Sequence, residues 1–161
     1  MMLRNQSGEP VQLVLLHFAG GSAYSFRQLE PYLKGFELVT PELPGRGRRI
    51  GEPLICDFEA AAADICQQIL QSWRTPAYLI YGHSMGAILA LRVTQLLEGM
   101  GKPPLYLIVS GTAGPGTQAS GKRYLLGKEQ FIEEVYRLGG LPEELREYPE
   151  MMEFFEPILS I

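Results

Sequence analysis

The chain has 161 residues, 46% hydrophobic and 20% charged, which suits one compact domain with a substantial core. Its net charge of −4 argues against nucleic acid as the main partner, because phosphate backbones are bound by basic faces. No apolar stretch reaches the length that crosses a bilayer, so no membrane association is expected.

Two cysteines ten residues apart, Cys56 and Cys66, fit neither a disulfide framework nor a common zinc pattern. Both read as reduced core thiols of a cytoplasmic protein. The opening "MMLRNQSGEP" precedes too short an apolar run for a secretory signal.

In chain order, "VQLVLLHF" (11–18) is a short apolar run that predicts a buried strand feeding the glycine loop "AGGSA". "YSFRQLEPYL" has helical character interrupted at Pro31. "FELVTP" (36–41) predicts a second strand, closed by the loop "PELPGRGRRIGEP". Asp57 is an N-cap for the helix "FEAAAADICQQILQSW", whose apolar face is Phe58, Ala62, Ile65, Ile69 and Trp73. "AYLIY" (77–81) predicts the third strand, and a helix runs through "AILALRVTQLLE" to Gly99 as its C′ residue. "LYLIVS" (105–110) predicts the fourth strand, and only helical segments follow from Lys128.

Strands separated by helices predict an α/β fold, a parallel sheet with helices on both faces. The switch to purely helical sequence separates residues 1–116 from 117–161. The glutamates between Glu129 and Glu156 read as solvated helix faces.

Gly82-His83-Ser84-Met85-Gly86 is a G-x-S-x-G pattern between a strand and a helix. A turn that sharp needs small residues at 82 and 86, and it lifts the Ser84 hydroxyl clear of the sheet. The Met85 N–H, at the helix start, can meet a developing oxyanion. A second donor is expected from "HFAGGSA", with the Ala19 N–H first and Gly20 as the alternative.

Three blocks, "HFAGGSAYSFRQL", "ELPGRGRRIGEP" and "YGHSMGAILAL", resemble the type II thioesterases that edit polyketide synthases and nonribosomal peptide synthetases. The resemblance implies a partial α/β-hydrolase fold with residues 117–161 as a helical lid. It also implies Ser84 as nucleophile, and Met85 and Ala19 as oxyanion-hole amides. The implied partner is an acyl or peptidyl carrier protein bearing an acyl-phosphopantetheine arm, with no metal or other cofactor. One departure is His17, where the family usually has proline.

The family presents its triad in the order nucleophile, acid, histidine. Here no histidine follows Ser84 and no aspartate follows Asp64. The chain is therefore read as an incomplete thioesterase of low or absent activity, its base and acid lying beyond Ile161. His83 is expected to fill space under the elbow. His17 is expected to be a hydrogen-bonded structural residue or, with Phe18 and Gly20, part of a pocket wall; a role as base is the minor alternative.

"GTQASGKR" (116–123) nearly matches a phosphate-cradling loop, but Arg123 stands where Ser or Thr should bind Mg²⁺, and a hinge is preferred. Arg46, Arg48 and Arg49 are either a solvated basic loop or a contact for the phosphopantetheine phosphate and carrier. Met151, Met152, Phe154 and Phe155 are read as lid packing, with an acyl-chain channel as the alternative. Two other functions compete: a general ester or lipid hydrolase of the same fold, and a module that binds acylated carriers without cleaving them.

Overall fold

The computed structural model describes residues 2–6, 8–112 and 133. The boundary at 116–117, the lid, the "GTQASGKR" loop and the Met/Phe runs lie outside the described residues.

Four strands form one parallel sheet in the order β2-β1-β3-β4. They are β1 (Gln12–Leu16), β2 (Glu37–Val39), β3 (Tyr78–His83) and β4 (Tyr106–Ser110). Every residue of β1 is buried, as expected of a central strand covered on both faces. Its register sets Leu16 beside Gly82 of β3, and β3 in turn sets His83 beside Ser110 of β4. The carboxyl ends of three strands thus meet at one point of the sheet.

Alternation along β1 divides the core. Val14 and Leu16 join Ile80 and Tyr78 under α1 (Phe58–Ser72) and α2 (Met85–Gly99), against Ala61, Ala62, Ile65, Ile69, Ala90 and Val93. Leu13 and Leu15 face the other way, onto Phe26, Phe36 and Tyr81. Among the described residues this second face is covered by short 3₁₀ turns, while both α-helices share the first. β4 is different: Tyr106 is 69% exposed, and Ile108 and Val109 are also exposed.

Local chemistry explains the boundaries. The Asp57 carboxylate accepts the Ala60 N–H at 2.7 Å and caps α1, an arrangement worth about 1 kcal/mol. Ala62, Ile65 and Ile69 of the expected face are buried, but Phe58 at the helix start is exposed. Cys66 is buried as expected, whereas Cys56 is exposed in the loop before α1, so only one cysteine is a core thiol.

The segment around Pro31 is not an α-helix. It forms two 3₁₀ turns, Ala23–Phe26 and Glu30–Tyr32, joined by i→i−3 bonds such as Arg27 N–H to Tyr24 O and Leu33 N–H to Glu30 O. Proline has no N–H and its ring collides with the carbonyl four residues back, so an α-helix cannot pass through it. Gly99 is the last helical residue of α2, not its C′ residue; Gly101, at φ +70, makes the left-handed turn while Lys102 N–H returns to Leu97 O. Among the described residues no helix is long and apolar enough to cross a membrane.

Candidate active site

β3 ends at His83 and α2 begins at Met85, leaving Ser84 alone in the turn. Its backbone sits at φ 54, ψ −116, and it is the one non-glycine with positive φ among the described residues. Such a conformation costs on the order of 1–3 kcal/mol and persists only where surrounding structure imposes it. The Ser84 N–H is held by the Ser110 carbonyl at 2.9 Å, and the Ser84 carbonyl accepts the Ala87 N–H at 3.0 Å.

Glycine is required on both sides. A Cβ at 82 would run into the Gly86 carbonyl, and one at 86 into the Leu16 and His17 carbonyls. These are backbone obstacles that no side-chain rotation relieves. The elbow is therefore pressed directly onto the end of β1. Ser84 is partly exposed, and among the described residues its hydroxyl has no hydrogen-bond partner. The Met85 N–H opens the helix, where amides lack an intrahelical acceptor and the dipole is positive.

His83 is partly buried and turned toward β4. Its Nδ1 lies 2.8 Å from Ser110 Oγ, which also lies 2.9 Å from the Tyr81 hydroxyl. The Phe18 ring meets the imidazole edge-on at 5.9 Å, and a Cβ at Gly111 would strike the ring. His83 thus fastens the elbow to its neighbours, and Ser110 grips the turn twice, by its carbonyl and by its hydroxyl.

His17 is 3% exposed. Its Nδ1 lies 3.0 Å from the Phe18 carbonyl; a carbonyl oxygen only accepts, so Nδ1 carries the proton. Nε2 faces Glu42 Oε1 at 3.5 Å. Burial, opposed by the Phe18 hydrogen bond and aided by the Arg46 charge, lowers the imidazole pKa to about 4. His17 is therefore neutral near pH 7, and its ring nitrogens are directed at Phe18 and Glu42. Of the three residues expected to wall a pocket, Phe18 and Gly20 are exposed and His17 is enclosed.

Glu42 is also enclosed, and both its oxygens lie 3.1 Å from the Ala23 N–H. Burial raises its pKa above the usual carboxylate value, opposed by the Ala23 and Arg48 amides and the nearby arginines. Arg46 is 3% exposed, and its three side-chain nitrogens have no hydrogen-bond partner among the described residues. Burial lowers its pKa, with the Glu42 charge acting the other way.

The three arginines are consequently not one solvated face. Arg49 bridges Glu52 and Asp64, each approached to 2.7 Å, and donates to the Glu42 carbonyl at 2.8 Å. The bonds to the Glu52 and Asp64 carboxylates raise its pKa. Arg48 donates to the Thr40 carbonyl at 2.6 Å and is the exposed member of the trio. It lines an open polar cleft with Glu37, Thr40, Gln68 and Arg74, which no elbow residue borders.

The structure therefore brings Ser84, Met85, His83 and the loop from His17 together, while Arg48 opens onto a cleft that no elbow residue borders and Arg49 ties its own loop to α1. Two contributors went unrecognised in the sequence, Glu42 and Ser110. Glu42 could have been noticed as an acid inside the "PELPGRG" loop; Ser110, as the polar end of an apolar strand.

The family model described as "Thioesterase domain" matches residues 11–160. A probable cadicidin biosynthesis thioesterase of Streptomyces griseus is 34% identical over 133 residues, 82% of this chain and 37% of that protein. Thioesterase PikA5 of Streptomyces venezuelae is 32% identical over 151 residues, 92% of this chain and 54% of that protein. Among solved structures, YbtT, a type II thioesterase from the yersiniabactin NRPS/PKS biosynthetic pathway, is 32% identical with a TM-score of 0.82. The match covers 99% of this chain and 64% of that one. The chain thus spans between about a third and two thirds of these relatives' lengths.

Proposed function

Because this chain belongs to the thioesterase-domain family, we propose that it acts as a type II thioesterase whose nucleophile is Ser84. The substrate is an acyl group held as a thioester on the phosphopantetheine arm of an acyl or peptidyl carrier protein. The observation that carries this reading is the strained Ser84 backbone between two glycines that cannot bear a Cβ, at the junction of β3 and α2.

In the reaction, Ser84 Oγ attacks the thioester carbonyl carbon, and the Met85 and Ala19 amides donate to the tetrahedral oxyanion. Collapse expels the pantetheine thiol and leaves acyl-Ser84. Water then attacks the ester, releasing a free acid and restoring the hydroxyl. The hydroxyl proton must pass to a base, and no described histidine contacts Ser84. Exposed Arg48 is the arginine available to a carrier-arm phosphate. A cytoplasmic setting is supported by the two cysteines, both free thiols.

The test is incubation with an acyl-loaded carrier protein, followed by intact-mass measurement and assay of free acid. An acyl adduct or free acid that disappears in Ser84→Ala supports the proposal. Carrier binding without adduct or acid identifies a binding module. Cleavage of simple esters with indifference to the carrier identifies a general ester hydrolase.

A further inference from the structure

We infer that His17 is a positioning residue for the oxyanion loop: its Nδ1–H clamps the Phe18 carbonyl and so fixes the Phe18–Ala19 peptide that presents the Ala19 N–H. The inference rests on the proposed role of Ala19 as an oxyanion donor.

A trans peptide is planar, with its C=O and N–H directed oppositely. Whatever holds the Phe18 oxygen therefore aims the Ala19 hydrogen. Two donors hold that oxygen: His17 Nδ1–H and the Gly21 N–H, each at 3.0 Å. The Ala19 N–H has no hydrogen-bond acceptor among the described residues. It is left available while the group opposite it is doubly anchored.

The loop is pinned at its far end as well. Glu42, enclosed beneath it, accepts the Ala23 N–H with both oxygens, and Ser22 and Ser25 cap the turn that begins at Ala23. Between these anchors lies Gly20 at φ +74, where the chain would otherwise swing. The Phe18 ring against His83 and the β1 carbonyls against Gly86 bring this loop to the elbow.

The clamp also fixes its own protonation pattern. With Nδ1 donating, Nε2 presents a lone pair toward Glu42 Oε1 at 3.5 Å, with Arg46 beside both. Among the described residues, the charged groups facing the imidazole are these two, one of each sign. A neutral Nδ1–H tautomer satisfies the Phe18 carbonyl without placing a further charge in the enclosed cluster.

Two measurements on the full 161-residue chain test the inference. The first is the ¹⁵N spectrum of the His17 imidazole between pH 5 and 8; the expected result is a neutral ring protonated at Nδ1 throughout. The second is the rate at which a fluorophosphonate labels Ser84 in the wild type, His17→Asn and His17→Leu. Asparagine can place an N–H near Nδ1, whereas leucine keeps bulk without a donor. Loss of a whole oxyanion donor lowers rates about 10²–10³-fold, so loosening one is expected to slow labelling about tenfold in His17→Leu, with most of the rate retained in His17→Asn. The reagent's reversible affinity should stay unchanged.

A folded His17→Leu that labels at the wild-type rate overturns the inference, as does an Nε2–H tautomer. If His17→Leu does not fold, the tautomer and the rate of His17→Asn decide. Wild-type protein that takes no label on Ser84 refutes the nucleophile assignment instead, and the spectrum still reports whether the clamp exists.

Discussion

Nδ1 of His83 lies 2.8 Å from Oγ of Ser110, so the imidazole adjoining the proposed nucleophile is bound to the end of β4. The same Ser110 accepts the Ser84 N–H through its carbonyl. Ser110→Ala keeps the backbone bond and frees both His83 and Tyr81 from the hydroxyl. A loss of about 1 kcal/mol in urea unfolding is expected, together with slower fluorophosphonate labelling of Ser84, and Ser110→Thr should recover much of both. Equal labelling rates in wild type and Ser110→Ala would show that His83 needs no tether.

The elbow strain can be weighed directly. Ser84→Gly removes the positive-φ penalty and should be more stable than Ser84→Ala by about 1 kcal/mol. Gly86→Ala should lose about 3 kcal/mol or more, or fail to fold, because its Cβ meets the β1 carbonyls. Denaturant titration of the three variants provides the comparison. An alanine at 86 with wild-type stability contradicts the close contact.

The enclosed His17 predicts a specific acid sensitivity. Its folded pKa of about 4 lies below the ordinary value of 6.5, so between these pH values the unfolded chain binds a proton that the folded chain does not. Stability from His17 is complete above about pH 6.5 and is lost as pH falls toward 4. From pH 7 to pH 5 the loss is on the order of 2 kcal/mol. Glu42, with a raised pKa, acts in the opposite sense, gaining a proton on folding and offsetting part of the loss. The fall in Tm from pH 7 to 5 should be smaller in His17→Asn than in wild type. An equal fall assigns the sensitivity elsewhere.

Arg48 and Arg49 should separate by readout. Arg49 joins the loop to Asp64 of α1, and Arg49→Ala should cost about 1 kcal/mol, less at high salt. Arg48→Ala, which gives up one exposed bond to the Thr40 carbonyl, should cost less stability than Arg49→Ala and weaken binding to a phosphopantetheinylated carrier. Carrier affinity unaltered by Arg48→Ala removes that residue from the docking surface.

The fold was legible where one local signal determines one local outcome. Gly82 and Gly86 around Ser84 announce a turn with no space for side chains. Asp57 announces a cap, and the short apolar runs announce parallel strands. The 3₁₀ turns around Pro31 were harder to read, because helical spacing over ten residues does not distinguish an α-helix from two separate turns. The buried cluster was harder still. Arg46 and Glu42 look like solvent-facing charges in a polar loop, and only the packing of that loop against His17 and Ala23 encloses them. Ser110 gained its role from sheet register, which sets it beside His83 through a pairing 27 residues distant in sequence.

The most direct test of the account is to treat the chain with a fluorophosphonate, digest it and locate the adduct by mass spectrometry. A single phosphonyl group is expected on Ser84, absent from Ser84→Ala and not formed when the wild type is denatured before treatment. No adduct on the folded protein, or one on another residue, would contradict the claim that this elbow presents a reactive serine.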